Sequence, residues 1–381
     1  MPARECALRS LRSKLLLAGI VGAFLASSTA AQAIPLFAQR YQLRCAACHS
    51  VLPELNAFGN AFRDGGYRLP LPKHGTTGIA VRYQLEYEKD PAVGARRFTP
   101  GGVLLAAPEI GALNVFLHYN LGAQGGPSGA FLAYVANYNA HTRTLYRAGL
   151  FELPLLQSPG QRLDDLTEYG YYGAHVGLND LSLASPRWGA QIERHVGSLR
   201  LNLVTDFGEF KGSAYGGRPL TAQTTVAGSP EGGLFLRFPL LHGVEGAASF
   251  LGGERLISNG PGNRFADSYD RYNVGLHANA KRLDLQAEQW WGNDSNTDGA
   301  GTPLGSTGGY VRLKYYPLPH IYFAARYDAT ATPLITREWV FYAAAQVFGH
   351  TRILLERRQP LGGGQGSFGG ALTVGFPPPK L

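Results

Sequence analysis

The chain has almost no cysteine or methionine and only one long apolar run. It holds 3 cysteines and 1 methionine in 381 residues. Cys6 and Met1 both fall in an N-terminal stretch that reads as a secretory leader. Arg4, Arg9, Arg12 and Lys14 make its positive region, Leu15 to Leu25 its apolar core, and Ala31-Gln32-Ala33 its cleavage site, which sets residues 1–33 aside. With Cys6 removed, Cys45 and Cys48 are the whole thiol inventory, and a disulfide framework is excluded. The apolar core of the leader is too short for a good membrane span, and nothing later approaches eighteen or so consecutive apolar residues. A helical membrane protein is therefore excluded. The formal charge of +8 is interspersed, with no basic run of the kind that binds nucleic acid, so that partner is set aside as well.

What is present is glycine (50), tyrosine (20) and phenylalanine (19). That composition, without long apolar runs, suits a transmembrane β-barrel, whose spans are short and alternate in polarity. From Gly78 onward the period is two. Val81, Tyr83, Leu85 and Tyr87 alternate with Arg82, Gln84, Glu86 and Glu88, and the same holds around Leu199–Leu203, Tyr272–Ala278, Val311–Tyr315 and Ile321–Ala325. In a soluble sandwich the charged phase would be the outside; in a membrane barrel it is the lumen. Tight turns near Gly197, Lys281-Arg282, Pro317-Leu318-Pro319 and Gly349 alternate with long polar stretches at Gly208–Glu231, Gly253–Tyr269 and Asn293–Ser306, which favours the barrel. The expected fold is mainly β, a 16-stranded antiparallel transmembrane barrel over residues 76–381. Twelve strands are placed from Tyr171 onward and four in front, which makes Leu153–Gly170 a long connection on the periplasmic side. An even count returns both chain ends to that side.

Residues 34–75 form a different unit. Cys45-Ala46-Ala47-Cys48-His49 is the attachment signature of a c-type haem: two thiols add across the vinyl groups, and the adjacent imidazole of His49 ligates the iron. One covalent haem c is the expected cofactor. Pro53–Arg63 reads as a short helix, with Leu55, Phe58 and Phe62 on one face and Gly65-Gly66 as its stop. Those three, with Phe37 and Tyr41 before the signature, are the candidates for packing on the haem. With Met1 in the leader, methionine ligation is excluded within one chain. The distal ligand is then one of nine other histidines, water or nothing. His74 is nearest in sequence, and His118, His195, His277 and His320 lie on the polar phase of strands. A haem ligated by two histidines or by water tends to a lower potential, which suits a donor at near-neutral pH.

Ala33-Ile34-Pro35-Leu36-Phe37-Ala38, the haem signature, Pro53-x-Leu55-x-x-Phe58-Gly59-x-x-Phe62 and Gly66-Tyr67 together resemble the fused cytochrome–porins. These are outer-membrane iron-oxidising cytochromes with one haem c at the front of a β-barrel. The resemblance covers about the first tenth of the mature chain. Family members usually carry Arg-Gln after Phe-Ala and a basic residue after Phe-Gly; here stand Gln39-Arg40 and Asn60. The resemblance implies an Fe(II)-oxidising oxidoreductase or electron carrier of the bacterial outer membrane, in contact with its lipid. Its haem segment would sit on the periplasmic side or inside the barrel. Electrons would pass from extracellular Fe(II) or another donor to a periplasmic carrier, a soluble cytochrome or copper protein. A haem-plugged solute porin with a gating or sensing role is the other reading, and a soluble periplasmic β-domain cytochrome a third. The remaining constellations are plainer. Asn293–Gly299 reads as a polar loop lacking the glutamate that closes a calcium site, Asp164-Asp165 as a solvated turn, and Glu86, Glu88 and Glu288 as carboxylates of the lumen phase.

Overall fold

The computed structural model describes residues 35–51, 54–71, 73–74, 78–90, 95–121, 129–157, 165–209, 224–258, 263–347 and 351–376. The leader, Pro53, Asp164 and Gly349 lie outside them. Period-two sequence becomes one antiparallel sheet. Its strands are β1 (Ile79–Asp90), β2 (Ala95–Ala106), the two-residue β3 (Glu109–Ile110), β4 (Leu113–Asn120), β5 (Gly129–Asn139), β6 (Thr144–Phe151), β7 (Arg187–Val196), β8 (Leu199–Glu209) and β9 (Thr224–Leu241). Then follow β10 (Val244–Ser258), β11 (Arg264–Ala280), β12 (Leu283–Asp294), β13 (Leu304–Leu318), β14 (Ile321–Thr332), β15 (Leu334–Val347), β16 (Thr351–Pro360) and β17 (Ser367–Phe376). Each long strand pairs with its sequence neighbours, and β1 pairs with both β2 and β17. That last pairing closes the sheet into a barrel with no free edge. β3 pairs only with β4 and is not part of the wall, which leaves sixteen strands in the ring.

The two faces are inverted relative to a soluble protein. On β13, Val311, Leu313 and Tyr315 are exposed, while Arg312 and Lys314 between them are buried. The wall therefore turns its apolar phase outward and its charges into the lumen, the pattern of a barrel solvated by lipid.

The strand count agrees with expectation but its distribution does not. Five wall strands precede residue 152 and eleven follow residue 186, where four and twelve were expected. The stretch from Tyr171 contains turns and a single bridge between Val176 and Asn179, not a strand. Its alternating apolar residues imitate one because Tyr171, Tyr172, Leu181 and Leu183 pack against the lumen wall. The missing strand is in front, where residues 113–139 supply both β4 and β5. An odd number of preceding strands moves the 152–186 connection to the end of the barrel that carries the long loops. There its described residues, 152–157 and 165–186, fold inward. The stretch expected as a loop at Gly253–Tyr269 is likewise mostly strand, since β10 runs to Ser258 and β11 begins at Arg264.

The N-terminal segment forms three short helices: α1 (Pro35–Tyr41), α2 (Cys45–Cys48) and α3 (Ala57–Asp64). It sits inside the barrel mouth at the short-turn end, between the β4–β5 wall and the β13–β15 wall.

Candidate functional site

α3 starts later than the spacing suggested, because Asn56 caps it. The Asn56 side chain accepts from Gly59 N at 2.9 Å, and its amide reaches back to Ala47 O at 3.1 Å and Ala46 O at 3.3 Å. One side chain thus caps the start of α3 and the end of α2. The two helices are so close that a Cβ on Gly59 would lie 2.1 Å from Cys48 O, so only glycine fits. The helix ends at Gly65, whose N–H bonds to Ala61 O, followed by Gly66 at φ +69°.

His49 follows α2, bridges to Leu55 and is buried. Its Nδ1 lies 3.2 Å from Glu54 O. A carbonyl can only accept, so Nδ1 is the donor in this contact, and in the neutral ring Nε2 would then carry the lone pair that a metal requires. Glu54 in turn accepts from Lys314 Nζ at 3.0 Å and Tyr316 Oη at 2.6 Å. These bonds pin the segment to β13.

The expected haem-packing residues do not stay together. Phe37 stacks on Tyr67 at 4.9 Å and meets Phe62 edge-on at 5.2 Å, with Tyr41 against Phe62 at 5.8 Å. The stack continues through Tyr67–Phe116 at 5.5 Å and Phe116–Tyr134 at 5.2 Å. Phe37, Tyr41 and Phe62 therefore anchor the segment to β4 and β5. Leu55 sits beside Gly59, and Phe58 is 42% exposed with Ala57 and Ala61 also uncovered. That uncovered apolar surface on α3, next to Cys48 and His49, fits a flat apolar ligand held by a thiol and an imidazole.

His74 donates its backbone N–H to Arg40 O at 2.8 Å, and its ring is exposed; nothing among the described residues links it to His49. His118 faces the Phe131 ring, His195 contacts Glu193 at 2.8 Å and His277 contacts Asp284 at 2.6 Å, while His320 is exposed in a turn. Glu288 accepts from Tyr172 Oη at 2.5 Å and Trp290 Nε1 at 3.1 Å, and Asp165 pairs with Arg326. In Asn293–Gly299, Asp298 accepts from Ala300 N at 2.8 Å, as a capped polar turn does.

Two features were not foreseen. The first is the inward path of residues 152–186, fixed by lumen charges. Arg326 donates to Asp165, to Thr167 O at 2.9 Å and to Glu168 O at 3.1 Å. Arg312 reaches Gln157 at 3.0 Å and Tyr169 Oη at 3.1 Å, and Asn179 bridges Asp267 at 2.8 Å and Asp294 at 2.9 Å. The second is a chamber of about 100 Å³ where plug, inner segment and wall meet, lined by Arg63, Asp64, Arg147, Arg200 and Arg237 among others. Asp64, Glu193 and His195 bring ligand atoms within 4.8 Å of one another there, but Asp64 already pairs with Arg200 at 2.6 Å and Arg63 at 3.4 Å. Residues so far apart in sequence carry no local signal.

With this geometry the molecule belongs by fold among porin-type barrels. No family model and no curated protein matches the chain. Among solved structures it is similar to an anion-selective porin from Comamonas acidovorans, at 11% identity and a TM-score of 0.53, covering 78% of this chain and 98% of that one. It is also similar to OmpT, an outer membrane protein of Vibrio cholerae (10%, TM-score 0.54, 78% and 98%). A third is Salmonella typhi OmpF in complex with daunomycin (12%, TM-score 0.52, 82% and 99%). At these identities the likeness is one of fold.

Proposed function

We infer that the chain is an outer-membrane barrel of porin type, closed at its short-turn mouth by its own N-terminal segment and narrowed by residues 152–186, with a gating or sensing role. The observation that carries this is the state of the lumen charges. Arg187, Lys314, Arg326 and Arg352 are at most 1% exposed. In an open aqueous channel such groups would be wet; here protein covers them. Planar-bilayer recording tests the reading. The intact protein passes little current, and a Phe37→Ala/Phe62→Ala variant, which removes the aromatic anchor, opens to porin-like conductance. An intact protein that already conducts like an open porin would overturn it.

The second reading, favoured by the contact of His49 Nδ1 with Glu54 O, is electron transfer. Cys45, Cys48 and His49 would hold one haem c, which supplies a one-electron iron couple when bound. In this reading Asn56 and Gly59 hold α2 and α3 together around the attachment site. Glu54 orients the His49 imidazole and fixes it to the wall, and the filled lumen keeps bulk water away. The donor would be extracellular Fe(II) and the acceptor a periplasmic carrier. An anaerobic absorbance spectrum decides: reduced haem bands appear promptly on adding ferrous iron. A haem that only dithionite reduces leaves the gated porin, and no haem bands at all leave a porin without the cofactor.

A further inference from the structure

Charge is not distributed evenly over the outside of the barrel. In the ladder register, Arg96 on β2 stands opposite Lys89 on β1; Lys89 is opposite Phe368 on β17, and Phe368 is opposite Arg357 on β16. All four side chains are exposed on the outer face. With adjacent strands about 4.8 Å apart, the three cations fall within roughly 15 Å along one row. The row lies at the long-loop edge: Lys89 is one residue from the end of β1, Arg96 one from the start of β2, and Phe368 one from the start of β17. Just below it the rings of Tyr87 and Phe98 pack at 4.9 Å. This is the level at which an aromatic girdle marks the boundary between acyl chains and headgroups.

Two like charges directly opposite each other in a sheet repel. Among the described residues no acidic side chain pairs with either Lys89 or Arg96. Among the described residues none of the three cations forms an ion pair, and the outward positions of β16, β17, β1 and β2 include no Asp or Glu. Lumen cations of the same wall are treated differently, as Arg358 beside Arg357 pairs with Glu338. Arg357 donates to Gln359 Oε1 at 3.3 Å, a neutral partner that leaves its charge unmatched, so this outward row above an aromatic pair suits an anion that arrives from the membrane plane. Phosphate oxygens suit guanidinium groups in bidentate geometry and a lysine as a point charge.

We propose that Lys89, Arg96 and Arg357 form a binding site on the outer wall for the phosphate-bearing headgroup of a membrane lipid at the long-loop edge, with Phe98 and Phe368 against its acyl chains. The site rests on the outer-membrane reading of the barrel. The connection between β16 and β17, residues 361–366, is short.

The test uses full-length protein in detergent micelles, titrated with a bis-phosphorylated glycolipid and with phosphatidylglycerol, and read by native mass spectrometry. Wild type retains the phosphorylated glycolipid, and K89Q/R96Q/R357Q binds it at least tenfold more weakly. R194Q, an outward arginine near the opposite edge on β7, binds like wild type. Removing the phosphates from the glycolipid lowers wild-type binding to the level of the triple variant. Equal retention of phosphatidylglycerol assigns the site to phospholipid, and selective retention of the glycolipid assigns it to that source; both uphold a phosphate site. Equal binding by wild type and the triple variant overturns it, while wild type absent from the outer-membrane fraction overturns the reading beneath it.

Discussion

Two segments enter the lumen from opposite ends, and the ion pairs that help hold them differ in burial: Asp64–Arg200 of the plug is partly exposed, Asp165–Arg326 of the inner segment is fully buried. The N-terminal plug docks through a ring stack, Phe37, Tyr41, Phe62 and Tyr67 with Phe116 and Tyr134, and through ion pairs at its margin, Glu54–Lys314, Arg40–Glu109 and Asp64–Arg200, each with at least one partly exposed partner. The described residues of 152–186 also carry rings, Tyr169, Tyr171 and Tyr172 against Tyr310 and Trp290, but add buried charge, with Arg312, Arg326, Asp267, Asp294 and Glu356 each reaching into the segment. Ring packing is non-directional and survives sliding or release as a unit. Buried charge pairs are directional, and breaking one leaves a bare ion in a low dielectric. The plug is therefore the element suited to move, and the inner segment is part of the wall.

Arg326→Ala is the harshest test of that contrast. It removes bonds to Asp165, Thr167 O and Glu168 O and leaves Asp165 and Asp328 buried without their cation. Loss of about 3–5 kcal/mol is expected for such a broken buried pair. Thermal unfolding of the whole barrel should report it. Phe62→Ala should cost about 3 kcal/mol, the low end for a buried aromatic, but charged to plug docking alone. Limited proteolysis would then release the N-terminal segment while barrel unfolding stays in place. If both variants lowered barrel stability equally, the two segments would not be distinct.

Gly59→Ala sharpens the comparison within the plug. A methyl 2.1 Å from Cys48 O forces α3 away from α2, at roughly 1–3 kcal/mol for overpacking. The aromatic anchor is untouched, so the plug stays docked while haem attachment at Cys45 and Cys48 falls. Covalent haem per barrel, measured by absorbance, is the readout. Unchanged loading would mean that α2–α3 contact does not shape that site.

Much of this architecture is legible in the chain because the barrel is a local code. Alternation fixes which face each residue takes, and turn length fixes which end, so the wall strands can be read from neighbours alone. The interior cannot. The stretch from Tyr171 reads as strand because Leu181 and Leu183, buried in the lumen, repeat at the spacing of a ladder. The Glu54–Lys314 tether and the Asp165–Arg326 pair join residues far apart in sequence. Nothing local reveals that Phe37 and Phe62 meet Tyr67 in a stack that runs on through Phe116 to Tyr134 on the wall. An error of one strand in front was enough to send residues 152–186 to the wrong end.

Glu54→Gln would remove a tether worth about 1–2 kcal/mol as a charge-assisted bond, but pH offers a smaller and cleaner perturbation at Asp64. Burial alone would push this carboxyl up, yet Arg63 first, then Arg200 and Arg237, outweigh it and hold Asp64 below the ordinary carboxylate range. His195 adds to that effect, and Glu193 stands close by as a like charge. A group depressed in the folded state adds stability that is present above its unfolded value and is lost as pH falls through the folded one. Plug docking should therefore be flat through neutral pH and weaken only below the usual aspartate range, where conductance would begin to rise. Asp64→Asn should abolish that acid step, leaving the Phe62→Ala effect unchanged. A step that persists in Asp64→Asn would move the acid-sensitive contact from the plug to the charged seams of the inner segment, and reverse the assignment of which segment moves.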